Sequence, residues 1–163
     1  MTTVRLRGTT PDDIDFVVSA EQDPDSRPFI LPWHRDQHMA ALSDPDLAHL
    51  IVETTDDAQG VGFVILAGLT NLHLSLEFRR IVIHRKRHGF GRAAVGFVKH
   101  FAFTERGAHR LWLDVKEHNH RARRLYEAEG FVVEGVLREC LKEESGFGSL
   151  VVMALLAPEF HRM

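Results

Sequence analysis

Residues Ile81 to Arg92, IVIHRKRHGFGR, constrain this chain more than any other stretch. An apolar, β-branched run, Arg79 to Ile83, stops in a basic loop with two glycines. AAVGFVKHFAF (Ala93 to Phe103) then carries apolar residues at helical spacing. A buried strand that runs into a helix in this way presents unpaired N–H groups and the positive end of the helix dipole, which suits a phosphate or pyrophosphate. Gly89 and Gly91 let backbone approach such a guest with no Cβ in the way. Arg85, Lys86, Arg87 and Arg92 supply counter-charge. A lone G-x-G after basic residues also describes an ordinary strand-to-helix turn with solvated charges, so a second signal is needed.

That signal is Asn119 to Phe131, NHRARRLYEAEGF. Taken in order, the two stretches resemble the signature of the GNAT superfamily of acyl-CoA-dependent N-acyltransferases. The first is similar to its [Q/R]-x-x-G-x-[G/A] pyrophosphate loop, with Lys86, Gly89 and Gly91 at the marked positions. The second is similar to its N-x-x-A-x-x-L-Y-x-x-x-G-F helix, at Asn119, Ala122, Leu125, Tyr126, Gly130 and Phe131. Six matches at fixed spacing are far more specific than two glycines, and the resemblance extends over Leu72 to Leu156, about half the chain. Lys86 departs from the usual Gln or Arg. Contacts to the diphosphate come mostly from backbone N–H groups, so a lysine is compatible with the role.

The resemblance implies an α/β (α+β) fold, a central mixed, mostly antiparallel twisted sheet of about seven strands with helices on both faces. It also implies acetyl-CoA as acyl donor. Its pyrophosphate would lie on Lys86, Arg87, His88, Gly89, Phe90, Gly91 and Arg92, and its pantetheine arm along Ile81, Val82 and Ile83, between two central strands that splay apart. A backbone N–H at Ile81 or a neighbour would point at the thioester carbonyl. Asn119 would contact the coenzyme arm, and Tyr126 would stand near its sulfur as general acid or, in the plainer reading, be a core aromatic. Phe29, Trp33 and His34 would form a wall of the acceptor site or simply cap the sheet. A homodimer through the late strands is a further implication.

Acyl transfer to an amine needs a held donor, a neutral nucleophile, stabilisation of the carbonyl oxygen and a proton for the departing thiolate. Glu77 is the candidate base, an isolated carboxylate in an apolar strand four residues before Ile81, which also places it beside the acceptor. Pairing with Arg79 at an exposed edge is the alternative. Asp114 and Glu53 are weaker candidates. The eleven histidines suggest a metal only superficially. His118-x-His120 and the pair His84 and His88 have no Cys or carboxylate partner at ligand spacing, so none is expected.

The chain read in order agrees. Val4 to Arg7 alternates as a short strand, and Thr9-Thr10-Pro11-Asp12-Asp13 opens a helix to about Ala20. Three prolines between Asp23 and Trp33 argue for an irregular connection to a second helix, Arg35 to Leu42. Leu47 to Glu53 and Gly60 to Leu69 make a hairpin, and Leu72 to Phe78 opens the strand that ends in the glycine loop. After the helix Gly91 to Glu105, the strand His109 to Val115 and the helix Arg121 to Glu129 follow. Phe131 to Val136 and Ser149 to Leu156 are the last strands.

At 163 residues with 44 % hydrophobic and 26 % charged side chains, one soluble domain spanning 1–163 is expected. A formal charge of −3 gives no case for nucleic acid or an anionic membrane, and no apolar stretch is long enough to span a bilayer. Cys140 is alone and has no committed base. With no secretory leader in view, the cytoplasm is the expected compartment. The expected function is acetyl-CoA-dependent N-acetylation of a small-molecule or peptide amine in a ternary complex. A non-catalytic acyl-CoA sensor and a nucleotide-phosphate binder of another fold are the rivals. The second leaves the Asn119 to Phe131 pattern unexplained and lacks the lysine of G-K-[ST].

Overall fold

The computed structural model describes residues 4–86 and 88–163. The elements in order are β1 (Val4–Gly8), α1 (Ile14–Glu21), α2 (Arg35–Ala41), β2 (Leu47–Thr54), β3 (Gly60–Ala67), β4 (Ser75–Ile83), α3 (Phe90–His100), β5 (Arg110–Lys116), α4 (His120–Ala128), β6 (Val132–Glu143), β7 (Gly146–Leu156) and α5 (Ala157–His161). The seven strands form one sheet in the order β1-β2-β3-β4-β5-β7-β6. Every neighbouring pair is antiparallel except β4 with β5. This is the mixed, mostly antiparallel sheet expected from the sequence, with helices on both faces.

Each face has its own apolar layer. On one side Val52, Val64, Leu66, Leu76, Phe78, Leu111, Leu113 and Met153 pack against Ala94, Val95 and Val98 of α3 and Tyr126 of α4. On the other, Ile51, Phe63, Ile65 and Val82 pack against Val17 and Ala20 of α1, with Ile30 and Trp33 of the α1–α2 connection over them. The core of β3 is buried throughout because it lies in the middle of the sheet under both layers.

Two irregularities of β4 position everything that follows. The first is a bulge. Ile65 pairs with Arg80 but Leu66 pairs with Phe78, so Arg79 is an extra residue in the strand. Before it, Leu76 and Phe78 face α3. After it, Val82 faces α1, and Ile81 and Ile83 pack on the α3 side. One inserted residue thus reverses which parity faces which layer. The second is that β4 and β5 pair only over Ser75↔Arg110, Leu76↔Leu111 and Glu77↔Trp112. Beyond Glu77 the two strands part while each continues, which leaves one edge of Phe78 to Ile83 without a strand partner in this sheet.

The structure corrects the sequence reading at several boundaries. β4 begins at Ser75, not Leu72. Asn71 Oδ1 accepts the His73 N–H at 2.8 Å, and Leu74 takes a φ of +54°, so 71–74 is a turn and Leu72 is exposed. The helix after the glycine loop starts at Phe90 and gives way at Phe101–Glu105 to a π-helical turn before Gly107. The last two strands are longer than expected and form one hairpin closed at Glu143 to Gly146. Their register shifts between Leu137 and Leu141, where Glu139 has a φ of +49°.

Candidate active site

The parting of β4 from β5 opens a cleft of about 1080 Å³. At one end lies the loop before α3. Gly89 caps that helix with φ +76°, ψ +6°, a left-handed conformation that an L side chain adopts only at a cost. Its carbonyl accepts the Ala93 N–H at 3.1 Å, and the N–H groups of the first turn before Ala93 have no helical acceptor. Gly89, Phe90, Gly91 and Arg92 all line the cleft, and the floor beside them is Ile81 and Ile83. From the opposite side α4 presents Asn119, Ala122, Leu125 and Tyr126. Asn119 is the helix cap, its Oδ1 accepting the Ala122 N–H at 3.3 Å, so its side chain is fixed where the cleft begins.

At the other end the cleft reaches Glu77 on β4 and Asp114 on β5, and Tyr126 of α4 is part of the same lining. Tyr126 is buried and packs edge-on against Phe78 and Phe131 at 6.2 and 5.8 Å. That burial pushes its hydroxyl well above the ordinary phenol range, so it stays protonated. Glu77 is held by Arg79, whose Nη2 and Nε donate to it at 3.0 and 3.2 Å. Asp114 has no hydrogen-bond or ion-pair partner for its carboxylate among the described residues. Burial, with Glu77 nearby, raises its pKa.

The other residues singled out from sequence divide. Phe29 lines the cleft and stacks obliquely on His118 at 5.5 Å. Trp33 lies outside the lining, packed on Arg80 and His38, and His34 caps α2, where its N–H donates to Gln37 at 2.7 Å. Val82 is buried against the α1 layer, so only its backbone is available to the cleft. His88 is exposed in the loop beside Phe90, outside the lining, and Arg87 lies outside the described residues. Of the basic residues, Lys86 turns back to donate to Ser26 Oγ and the Ile83 carbonyl, both at 2.9 Å, and burial lowers its pKa. Arg92 is paired with Glu129 at 2.7 Å, and Arg85 donates to Gln59. Glu53, a weaker base candidate, is far from the cleft, clamped between Arg5 and Arg7 at 2.7 and 2.8 Å. Among the described residues no group of His, Cys, Asp and Glu is arranged to hold a metal, and no helix is long and apolar enough to cross a membrane.

Sequence reasoning missed a buried polar chain behind the cleft. Arg80 pairs with Glu21, Glu21 Oε1 meets His38 Nε2 at 2.6 Å, His38 Nδ1 meets His49 Nε2 at 3.0 Å, and His49 Nδ1 meets Thr9 Oγ1 at 2.8 Å. All donors can run one way, from Thr9 to the Glu21 carboxylate. The members come from β1–α1, α1, α2, β2 and β4, so no local spacing announces them. Only a second arginine in the apolar run RRIVI hints at a buried charge. Desolvation pushes His49 down to about 4, with the neighbouring His38 adding to the effect. An imidazole whose folded pKa lies below its unfolded value stabilises the fold fully above about pH 6.5 and loses that contribution as pH falls toward 4. Unfolding free energy is therefore expected to drop by roughly 2 kcal/mol between about pH 7 and pH 5. A His49→Gln protein should lose most of that slope in thermal melts across this range.

The GNAT acetyltransferase domain family matches residues 3–132 of the chain, the stretch from β1 through the start of β6. The chain belongs to the GNAT acetyltransferase family. Among curated relatives, the spermidine N(1)-acetyltransferase of Vibrio cholerae is 36 % identical over 87 residues. The alignment takes in 52 % of this chain and 50 % of that protein, so the chain spans about half the length of the curated relative it matches. Solved GNAT structures superpose over nearly everything. A Vibrio cholerae spermidine N-acetyltransferase in complex with CoA and spermine has a TM-score of 0.87 at 24 % identity, covering 97 % of this chain and 98 % of that one. A chimera of the Vibrio cholerae SpeG enzyme and hSSAT reaches 0.89 at 23 % identity, covering 98 % and 99 %. A dodecameric form of the Vibrio enzyme in an intermediate state scores 0.82 at 24 % identity, covering 96 % and 95 %. These likenesses establish the GNAT fold of the chain.

Proposed function

We propose that this protein is a single-domain cytoplasmic enzyme that transfers the acetyl group of acetyl-CoA to a primary amine by direct attack in a ternary complex. The reading rests on one observation. β4 and β5 part after Glu77, and the cleft between them runs from the Gly89-capped N-terminus of α3 to a tyrosine and two carboxylates. The diphosphate of the coenzyme takes the helix end, with the amides of its arm on the free edge of Phe78 to Ile83. The amine nitrogen attacks the thioester carbon, whose oxygen is met by a backbone N–H near Ile81. The carbon–nitrogen bond forms and the carbon–sulfur bond breaks. Tyr126, kept protonated by burial, donates to the sulfur as it gains charge, and coenzyme A leaves as the thiol.

For the proton lost by the amine, Asp114 is the better acceptor of the two carboxylates, and Glu77 the group that attracts the cationic amine. Glu77 is already occupied by Arg79, whereas Asp114 has no partner among the described residues and burial shifts it toward working pH. Asp114→Asn is expected to lower kcat by about 100-fold and to remove the acidic limb of the rate profile, where activity falls as the carboxylate takes up a proton. Glu77→Gln should act mainly on the amine KM. A larger kcat loss in Glu77→Gln than in Asp114→Asn would reverse the two roles.

The acceptor favoured by the acidic end of the cleft is a polyamine, and the substrates named for the relatives point the same way. Thiol release from acetyl-CoA with spermidine, spermine and a peptide amine tests this. Polyamine turnover at least about tenfold more efficient than that of the peptide is the expected result. Tight acetyl-CoA binding with no turnover of any amine would instead favour the acyl-CoA sensor. Val132, Val133, Val136 and Leu137 stand exposed on the edge strand β6, which supports a homodimer through the late strands. Light scattering of the purified chain decides it.

A further inference from the structure

The buried arginine of β4 has no role in the chemistry just described, yet it joins the end of α1 to the connection that follows it. Arg80 sits immediately after the bulge, and the reversal of parity there turns it away from the apolar layer under α3 and toward α1. Its side chain is 8 % exposed, and it pairs with Glu21, which is fully buried. The second Nη donates to the Leu31 carbonyl at 2.6 Å, and the guanidinium lies over the Trp33 ring at 5.4 Å. Glu21 in turn takes the Trp33 N–H at 3.4 Å and is backed by His38. Leu31 and Trp33 belong to the connection between α1 and α2, the segment whose Phe29, Ile30 and Leu31 form one wall of the cleft beside Glu77.

We infer that Arg80 is a positioning residue for the amine acceptor, bolting the wall of residues 29–31, with Trp33 behind it, to the strand that carries the thioester. This rests on the reading of the cleft as an acetyltransferase site. The connection has three prolines between residues 24 and 32 and a single turn of 3-10 helix, Arg27–Phe29, so it has little regular backbone hydrogen bonding of its own. A carbonyl held by a guanidinium fixes it instead. The guanidinium is suited to this because its planar fork reaches a carboxylate and a carbonyl at once and leaves a flat face for the indole. A lysine ammonium cannot reproduce that arrangement. The strand residue next to Arg80 is Ile81, on the floor of the donor half of the cleft. Lys86 and Lys116 hold the earlier part of the connection, at Ser26 Oγ and the Pro28 carbonyl, and Arg80 holds its later part. Arg80 therefore ties the acceptor wall to the donor floor, and the distance between them is the quantity a ternary complex depends on.

The test uses Arg80→Lys, which keeps a positive charge against Glu21, and the double variant Arg80→Met with Glu21→Met, which removes both charges together and leaves neither stranded. Acetyl-CoA affinity should stay within about twofold of the parent in both. The KM for spermidine should rise about tenfold or more with a smaller change in kcat, and backbone amides of 29–33 should exchange at least about tenfold faster. Amide exchange is read without catalysis, so it judges the bolt even if the parent turns over no amine, an outcome that would count against the enzyme reading alone. Unchanged exchange in 29–33 in either folded variant, or an equal loss of donor affinity and amine KM, would overturn the inference.

Discussion

Gly89→Glu is expected to weaken acetyl-CoA binding by at least about 100-fold while leaving a folded protein. Three effects act together. Residue 89 has φ +76°, where a side chain costs on the order of 1–2 kcal/mol, and the strain falls on the loop that must present its N–H groups. The new side chain enters the space where backbone approaches the diphosphate. Its carboxylate also satisfies the helix end itself, competing with the coenzyme for the same positive potential and repelling it. Titration calorimetry with acetyl-CoA measures the loss, with circular dichroism as the check on folding. Gly89→Ala separates the contributions, since it keeps the strain without the charge and should lose about tenfold. Affinity within a few-fold of the parent in Gly89→Glu would mean that the diphosphate does not lie on this helix.

Tyr126→Phe should lower kcat by about 100-fold with the acetyl-CoA dissociation constant nearly unchanged. The substitution removes one oxygen and keeps the ring, so the packing against Phe78 and Phe131 survives. If Tyr126 were only a core aromatic, the rate would hold and the loss would appear as about 1 kcal/mol of stability or less. Single-turnover thiol release, set beside a thermal melt, distinguishes the two. Because burial already keeps the hydroxyl protonated, the parent rate should show no loss through phenol ionisation in the ordinary range near pH 10.

The order of elements was legible because each carries its own local signal. Pro11 and the flanking hydroxyl and acidic residues mark the start of α1, and a polar turn separates β2 from β3. Gly89 and Gly130 sit at the ends of α3 and α4, both with positive φ. The end of the cleft proposed for the donor was legible for the same reason: loop and helix cap are each contiguous in sequence. The limits came where structure departs from periodicity. Leu72 and Leu74 continue an alternating pattern into what is a turn, and the register shift around Glu139 hid the second half of β6. The acceptor half is assembled from residues far apart in the chain, so Trp33 and His34 looked like wall residues when one packs on Arg80 and the other caps a helix. Sequence shows the proximity of Glu77 to the loop but not that Arg79 pairs with it, which is why the proposed preference for Asp114 arises only from the structure.

The extra residue at Arg79 has a consequence for how this protein can vary. Counting along β4, odd and even positions exchange tenants at that point, so the strand serves the layer under α3 and the layer under α1 by turns. Excising Arg79 itself would leave Phe78 opposite Leu66 and Arg80 opposite Ile65 in regular alternation, so the side chains would keep their layers and only the kink of the bulge would be lost, whereas excising a residue on either side of it would put the following positions out of phase with their layers. The bulge is thus the one place in β4 where a residue can be lost without moving its neighbours to the other layer, and the polar tip between β2 and β3, residues 55–59, is exposed and free of any such restriction.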